Sequence, residues 1–401
     1  MRKEIVCGLD IGTSKISAVL GEFRDDNLVI LAKDRMASEG MERGKVLNME
    51  KFTAVIESIM HKVNKDFLPN RIILGISNDC LRVMNYRRSI MLSEKTQEIK
   101  NHHIERLINE TVDNSVPFDH EVLHIFTREF MVDGQSKIRD PRGMFGSKLS
   151  ADFLFITLPT SVLQNIKKGI YNAGYDVDIT IYSGLASAFA FLEEEERNSG
   201  VLYLEIGGGI TTVVKFMGGV PINLEIFPFG GIDIDKAIAK ALNISLDEAE
   251  ELKKNYGSLY PAIKQEKIIR KNGEKELSIE KLIKIIENVS EGFLFQIKRK
   301  IEKSSVFDYL PAGIVLGGCT FLLEGLVEKV GEIFRFPIRL GTVRVSEDLS
   351  GKEDSLYSWA DTIGLLYFDH FNRASKKDSK KTLNPIKKFI LHAKKIFEEY
   401  F

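Results

Sequence analysis

Apolar positions along this chain follow two rhythms, the period of two expected of strands and the period near 3.6 expected of helices. Ile5–Leu9 is a short apolar run ending in Asp10-Ile11-Gly12-Thr13-Ser14-Lys15, after which Ile16–Phe23 resumes a strand pattern. Two apolar runs joined by a Gly/Thr/Ser turn predict a β-hairpin, not a strand-to-helix phosphate loop. Helical spacing follows over Phe52–Val63, strand pattern over Arg71–Ser77, and helical spacing again over Leu163–Ala173 and Leu185–Leu192. A second hairpin is predicted at Val201–Phe216, where the apolar run leads into Glu205-Ile206-Gly207-Gly208-Gly209-Ile210-Thr211-Thr212. Both turns share one grammar, and they stand close to half the chain apart, which suggests two related domains. A third glycine element, Gly317-Gly318-Cys319-Thr320, follows a buried-strand pattern and precedes helical spacing over Phe321–Val330. A helix N-terminus just after a tight turn suits an anion or a polar ligand.

Asp247–Tyr256 and Ile279–Lys303 read as charged helices, the second with an apolar stripe at Leu282, Ile285, Ile286, Val289, Phe293, Ile297 and Ile301. The end of the chain changes character. Residues 372–384 are Lys/Ser-rich without apolar periodicity and read as a flexible linker. Asn384-Pro385 then offers an N-cap and a favourable first helical position. Ile386, Phe389, Ile390, Ile396 and Phe397 fall on one stripe flanked by Lys387, Lys388, Lys394 and Lys395. That is a basic amphipathic helix, the profile of an interfacial membrane anchor.

Composition adds exclusions. Fifty-six Lys+Arg balance 57 Asp+Glu, so total charge does not point to nucleic acid. The balance is uneven: residues 372–401 hold nine Lys/Arg against three acidic residues, leaving an acidic body and a basic tail. No stretch approaches the ~18–20 apolar residues of a membrane-spanning helix, and no signal-peptide core opens the chain. The expectation is a protein neither integral to a membrane nor secreted. Cys7, Cys80 and Cys319 lie far apart, which predicts small buried apolar residues, not a disulfide framework or zinc site. His102-His103 is expected on an exposed helix surface, not as a ligand pair.

A phosphate tail needs backbone N–H donors at close range, which glycine turns supply. Asp10 at a strand end offers a carboxylate to the waters of a bound Mg²⁺, and Thr13, Ser14 and Lys15 offer donors to phosphate oxygens. With three such elements in order, nucleotide binding is the favoured reading. The P-loop and G-x-G-x-x-G fingerprints are absent.

These residues resemble the actin-like ATPase superfamily, and specifically the FtsA family of bacterial cell-division proteins. Asp10–Lys15 is similar to the superfamily's first phosphate loop, Glu205–Thr212 to its second, and Gly317–Leu326 to its adenosine-binding segment. Glu121-Val122-Leu123-His124, Asp140-Pro141-Arg142-Gly143-Met144, Pro228-Phe229-Gly230-Gly231 and the basic tail are closer to FtsA in particular. The resemblance runs collinearly from Glu4 to Phe401. It implies an actin-like, ribonuclease-H-like two-domain α/β fold with an inserted α/β subdomain and a C-terminal amphipathic helix. The implied division is 1–77 with 159–192 as first core domain, 78–158 as the insert, 193–230 with 305–371 as second core domain, and 231–304 as a helical subdomain. The linker 372–384 and the membrane-targeting helix 385–401 complete the chain. By resemblance, ATP and Mg²⁺ are the cofactors. Asp10, Gly12, Thr13, Ser14, Lys15, Gly207, Gly208 and Gly209 hold the phosphates, with Asp10 on the metal through water. Gly230, Gly231, Glu250, Lys253, Gly317, Gly318 and Thr320 take the adenosine. The implied partners are the C-terminal peptide of FtsZ on 231–304, other divisome proteins and neighbouring subunits on the insert, the chain itself in a filament, and anionic lipids under the tail. The implied location is the cytoplasmic face of the membrane at the division septum.

The departures bear on mechanism. Relatives usually read Asp-Ile-Gly-Gly-Gly-Thr-Thr-Asp in the second loop; here Glu205, Ile210 and Thr212 replace the first Asp, the first Thr and the last Asp. Their Glu-Pro-Leu-Ala-Ser becomes Ser183-Gly184-Leu185-Ala186-Ser187. Losing a carboxylate that orients water raises the barrier to phosphoryl transfer, so ATP is expected to be bound and hydrolysed slowly or not at all. The competing readings are a pilus-assembly adaptor with the same core, a kinase of the superfamily, which would need a further cleft carboxylate, and a nucleotide-driven chaperone.

Overall fold

The computed structural model describes residues 4–260, 267–269, 276–303, 308–351 and 355–377. The chain opens with three antiparallel strands, β1 (Ile5–Ile11), β2 (Lys15–Arg24) and β3 (Asn27–Ala37), then α1 (Met49–Val63) and β4 (Arg71–Ile76). An excursion follows through β5 (Arg82–Met91), α2 (Asn101–Ser115), β6 (His120–Val132), β7 (Gln135–Ile138) and β8 (Lys148–Pro159). The chain returns through α3 (Thr160–Asn172), β9 (Ile179–Tyr182), α4 (Ser183–Phe191) and α5 (Glu194–Ser199). A second hairpin series, β10 (Val201–Ile206), β11 (Thr211–Met217) and β12 (Val220–Phe227), leads to α6 (Gly231–Leu242), α7 (Leu246–Tyr256) and α8 (Ile279–Glu302). Last come β13 (Ile314–Gly317), α9 (Leu326–Phe334), β14 (Ile338–Leu340), β15 (Glu347–Asp348) and α10 (Ala360–Lys377).

Two sheets share one local plan. The first has the order β9-β4-β1-β2-β3-β15 and the second β12-β11-β10-β13-β14. In each, the leading strand pairs antiparallel with the next and parallel with a later one. The turns match atom for atom: Gly12 N–H donates to Lys15 O at 3.0 Å, and Gly207 N–H donates to Ile210 O at 3.0 Å. A Cβ at Gly12 would lie 2.8 Å from Lys15 O, so this tight turn excludes a side chain there.

Side-chain alternation along β10 sorts the core into layers. Val201 and Tyr203 face a cluster shared with the first sheet, α1, α3, α4 and α10, whereas Leu202, Leu204 and Ile206 face a second cluster with α6, α7, α8 and α9. The insert closes its own core, Ile90, Leu107, Ile125, Phe153 and Phe155, between α2 and the sheet β7-β6-β8-β5. Between the two main sheets lies α4, whose residues are buried all round except the half-buried Phe189. Its run of Gly, Ala and Ser lets α10 approach closely, and a Cβ at Gly364 would meet Ala186 O at 2.0 Å.

Four expectations change. The stretch expected to be helical from Phe321 instead forms a 3-10 turn at Cys319–Leu322, and α9 starts at Leu326, because Gly325 breaks the run at φ +81°. The linker expected from Asn372 begins as the last turns of α10: Asn372 is buried, and Arg373 pairs with Glu4 at 2.7 Å. Only His102 of the histidine pair is exposed; His103 is buried, its Nδ1 accepting the Lys100 N–H at 3.1 Å at the start of α2. Of the cysteines only Cys7 is fully buried, while Cys319 is exposed on the 3-10 turn. The rest of the linker and the amphipathic helix 385–401 lie outside the described residues. Among the described residues no helix is long and apolar enough to cross a membrane.

Gly364→Ala tests the helix contact. The substitution gains about 1 kcal/mol of helix propensity, but the methyl group must displace the α4 backbone, and overpacking of this kind costs typically about 1–3 kcal/mol. A net loss is expected in urea denaturation. Gly292→Ala in α8, where a Cβ meets nothing within 4 Å, should instead stabilise by roughly 0.5–1 kcal/mol. Equal effects from the two changes would refute the packing account.

Candidate functional site

The two hairpin turns face each other across a cleft. A Cβ at Gly209 would sit 3.0 Å from Thr13 Oγ1, and one at Gly208 would sit 3.2 Å from Ser14 Oγ. The α6 N-terminus grips the second turn from behind, Gly231 N–H donating to Gly207 O at 2.9 Å and Ile232 N–H to Gly208 O at 2.8 Å. Thr320 donates to Gly207 O as well, at 3.2 Å. Among the described residues no backbone carbonyl accepts from the N–H of Thr13, Ser14, Gly208 or Gly209. Two turns with unspent donors thus converge on one volume, the arrangement that receives phosphate oxygens.

That volume is a cavity of about 380 Å³. It collects Asp10, Gly12, Thr13, Ser14, Lys15, Gly207, Gly208, Gly209, Gly231, Glu250, Lys253, Gly318 and Thr320 of the residues singled out in the sequence. Gly230 and Gly317 stand behind its wall, where a Cβ would lie 2.4 Å from Gly207 O and 2.0 Å from the Tyr203 hydroxyl, respectively. Both positions are required by close packing.

One end of the cavity is rich in carboxylates. Asp10 is the last residue but one of β1, Glu205 the last but one of β10, and Asp361 lies in the first turn of α10. Ser183 donates to Asp10 Oδ1 at 2.5 Å, and Ser187 to Glu205 Oε1 at 3.0 Å with Tyr203 donating to Ser187 behind it at 2.9 Å. Lys15 Nζ donates to Ser358 O at 2.5 Å, tying the first turn to the segment before α10. Burial, then the nearby Asp361, pushes Asp10 up to about 7, against the Ser183 hydrogen bond and Lys15. Burial and Asp361 likewise push Glu205 upward. Sequence reasoning singled out Asp10, noted Glu205 only as a departure in the second loop, and missed Asp361. No turn motif marks it, and only the packing of α10 on β1 and α4 delivers it to the cleft.

The unusual residues fit together sterically. The Thr212 hydroxyl hydrogen-bonds the Tyr182 hydroxyl at 2.5 Å, and a Cβ at Gly184 would lie 2.5 Å from Thr212 Oγ1 and 3.0 Å from Glu205 Oε2. The longer Glu205 therefore occupies room that Gly184 leaves open. Among the described residues no three acidic, His or Cys side chains are disposed to ligate an ion directly. A hydrated Mg²⁺, which keeps most of its waters and leans on few carboxylates, fits Asp10 and its neighbours, and bound there it would offset the charge of phosphates.

Sheet order, paired hairpin turns and intervening cleft define an actin-like two-domain α/β protein with an inserted subdomain. Among solved structures, the PilM-PilN type IV pilus biogenesis complex superposes with a TM-score of 0.68 at 16% identity, over 90% of this chain and 97% of that one. MreB5 of Spiroplasma citri bound to ADP gives a TM-score of 0.56 at 14% identity, over 94% and 99%. Residues 80–157 match the family model described as the SHS2 domain inserted in FtsA, and residues 202–358 the model described as cell division protein FtsA. The cell division protein FtsA of Borreliella burgdorferi is 30% identical over 397 residues, 95% of each chain. The chain belongs to the FtsA family of cell division proteins.

The buried carboxylates set a pH dependence for the nucleotide-free protein. Asp10 holds its proton to about pH 7 when folded but releases it near 4 when unfolded, so the folded state binds more protons between those values. Stability is then greatest at the acid end of that window and falls as pH rises, with a slope of up to about 1.4 kcal/mol per pH unit for one proton. Urea midpoints of the wild type and Asp10→Asn at pH 5 and pH 8 should differ mainly through this loss in the wild type. A pH-independent difference would show that Asp10 is ionised throughout.

Proposed function

We propose that this protein holds ATP with Mg²⁺ in the cleft, assembles into filaments on the cytoplasmic face of the membrane at the division septum, and tethers FtsZ there. The observation that carries the nucleotide half is the convergence of two glycine turns with free N–H donors on one carboxylate-edged cavity. The ADP named with MreB5 supports the same reading of the shared fold. Membership of the FtsA family supports the division role and sets the pilus-adaptor and kinase readings behind it. The helical face around α6, α7 and α8 would receive the FtsZ C-terminal peptide, and the insert, residues 78–158, would meet neighbouring subunits and other divisome proteins.

Hydrolysis is slow on this reading. Position 183 is a serine whose hydroxyl is committed to Asp10, and it accepts a proton from water poorly. Burial and the neighbouring Asp361 push Glu205 upward, toward the protonated form that cannot take a proton from water in the nucleotide-free state. Isothermal titration should give saturable, Mg²⁺-dependent ATP binding, while steady-state phosphate release stays slow and falls further in Asp361→Asn. Turnover matching an efficient ATPase would sink the slow-hydrolysis half; no binding would sink the whole.

The membrane half rests on the stripe Ile386, Phe389, Ile390, Ile396 and Phe397 with its flanking lysines. Each well-buried Phe or Ile contributes roughly 1.5–3 kcal/mol before ordering costs, so one tail binds weakly and an assembled row binds firmly. Co-sedimentation with vesicles containing anionic lipid should pull down the full chain and leave Phe389→Glu/Phe397→Glu in solution. Equal sedimentation of both rejects the anchor.

A further inference from the structure

A side chain of the insert reaches the wall of the cleft from behind. His124 lies on β6 and is buried, and its Nε2 accepts the Tyr182 N–H at 3.0 Å. Strand β9, which ends at Tyr182, is the outermost strand of the first sheet and pairs with β4 on its inner side. Its outward N–H groups face away from that ladder, and a buried one left unpaired carries the full penalty of lost hydration. Burial pushes the imidazole down to about 3, so at neutral pH the ring is uncharged, with its proton on Nδ1 and Nε2 free to accept.

Three parts of the molecule converge on Tyr182. It is the N-cap of α4, yet its side chain does not cap the helix; the hydroxyl instead hydrogen-bonds the Thr212 hydroxyl of β11 at 2.5 Å. The next residue, Ser183, donates to Asp10 Oδ1 at 2.5 Å. A Cβ on Gly75 would lie 2.8 Å from Asp10 Oδ1 and 2.9 Å from Ser183 Oγ, so this pair is pressed onto bare backbone. In packing that tight, the serine moves only if the first turn of α4 moves with it. The residue that His124 holds is thus the immediate neighbour of the hydroxyl that orients Asp10.

Packing alone does not account for an imidazole here. The ring stacks on Phe126 at 5.7 Å and meets Phe368 of α10 edge-on at 5.5 Å. A phenylalanine would make both contacts without burying polar atoms; what the imidazole adds is the acceptor. Resting on the nucleotide reading above, we infer that His124 is a positioning residue for the phosphate end of the cleft: from the insert it holds the Tyr182 backbone, and through it the Ser183 hydroxyl on Asp10. Without the acceptor, the Tyr182 N–H turns toward another partner and the first turn of α4 turns with it. Asp10 then loses the hydrogen bond that aims its carboxylate at a hydrated cation. The coupling is reciprocal, so a nucleotide that fixes Asp10 and Ser183 also steadies β6 of the insert.

The test is isothermal titration of ATP with Mg²⁺ on the full chain and on His124→Phe, His124→Gln, Ser183→Ala and the double variant His124→Phe/Ser183→Ala. His124→Phe keeps the ring and removes the acceptor, and should weaken binding ~10-fold, the effect of one lost hydrogen bond to a charged group. His124→Gln places an amide oxygen near the position of Nε2 and should restore most of that loss. In the Ser183→Ala background, His124→Phe should have little further effect, because the residue it acts through is gone. Equal losses in both backgrounds, failure of the glutamine rescue, or lowered thermal stability with unchanged affinity would each mark a merely structural ring and overturn the inference. If His124→Phe does not fold, hydrogen exchange on the wild type decides. Adding ATP and Mg²⁺ should slow exchange over residues 120–126 of β6 as well as over residues 179–186, and slowing confined to the second stretch overturns the coupling. A wild type that binds no ATP overturns the nucleotide reading itself.

Discussion

The close approach of α4 and α10 is the constraint on which the rest depends. Two sheets, each with its own outer layer, meet through this one helix pair, and the contact leaves no room for a Cβ at Gly364. Gly8 and Gly21 extend the same demand to the first sheet, since a Cβ at either would strike Thr362 O or Leu366 at 2.6–2.7 Å. Such packing is intolerant of added volume, so it fixes the ends of both helices as firmly as their middles. At those ends stand Ser183, opening α4, and Asp361, in the first turn of α10, facing the strand-end carboxylates Asp10 and Glu205. The geometry of the cleft floor follows from helix packing, not from the loops alone.

That floor crowds three carboxyl groups together when no ligand is bound. Asp10, Glu205 and Asp361 lie together, and the nearest lysine, Lys15, donates to a backbone carbonyl instead of to any of them. Burial disfavours three ionised carboxylates in one place, and the upward shifts of Asp10 and Glu205 express that conflict. The remedy is a cation or a retained proton. On the proposed reading, a triphosphate enters such a floor only in company with a divalent ion, which turns mutual repulsion into attraction.

Much of this was legible in the sequence where the physics is local. The two hairpin turns were readable because a Gly/Thr/Ser turn between apolar alternations has few other outcomes, and their shared hydrogen bond bears out the shared grammar. The stripe of α8 was readable in part from its period: Leu282, Ile286, Ile297 and Ile301 are buried as expected, whereas Ile285, Val289 and Phe293 are half-buried and Ile283, Ser290 and Leu294 complete the buried face. What failed was whatever distance in sequence conceals. Asp361 and Asp235 look like ordinary helix-surface acids until α10 and α6 are packed, and Cys319 looks like a core residue until the 3-10 turn lifts it to the cavity mouth. The linker boundary was misplaced for a related reason. Asn372 and Arg373 are polar, but one is buried and the other reaches Glu4, so tertiary contact extends the helix past the end of its apolar period.

The two ends of the cleft also differ in kind. At the turns, N–H donors and three carboxylates share one ammonium, Lys15, whereas at α6 and α7 Lys253 faces Asp235 and Lys254 faces Glu250. An unbalanced field draws a charged group, and a balanced one recognises hydrogen-bonding shape. A ligand with a charged tail, a neutral polar middle and a flat apolar end meets each requirement in order, and a nucleotide is built in that sequence. A ligand charged throughout would find no partner at α6 and α7, and an uncharged one would leave the crowded floor unrelieved. Charge is divided on a larger scale too. The acidic body and basic tail give an anionic surface opposite preferences for the two parts, so on the proposed reading the tail is drawn in while the cleft and its partner surfaces are held toward the cytoplasm.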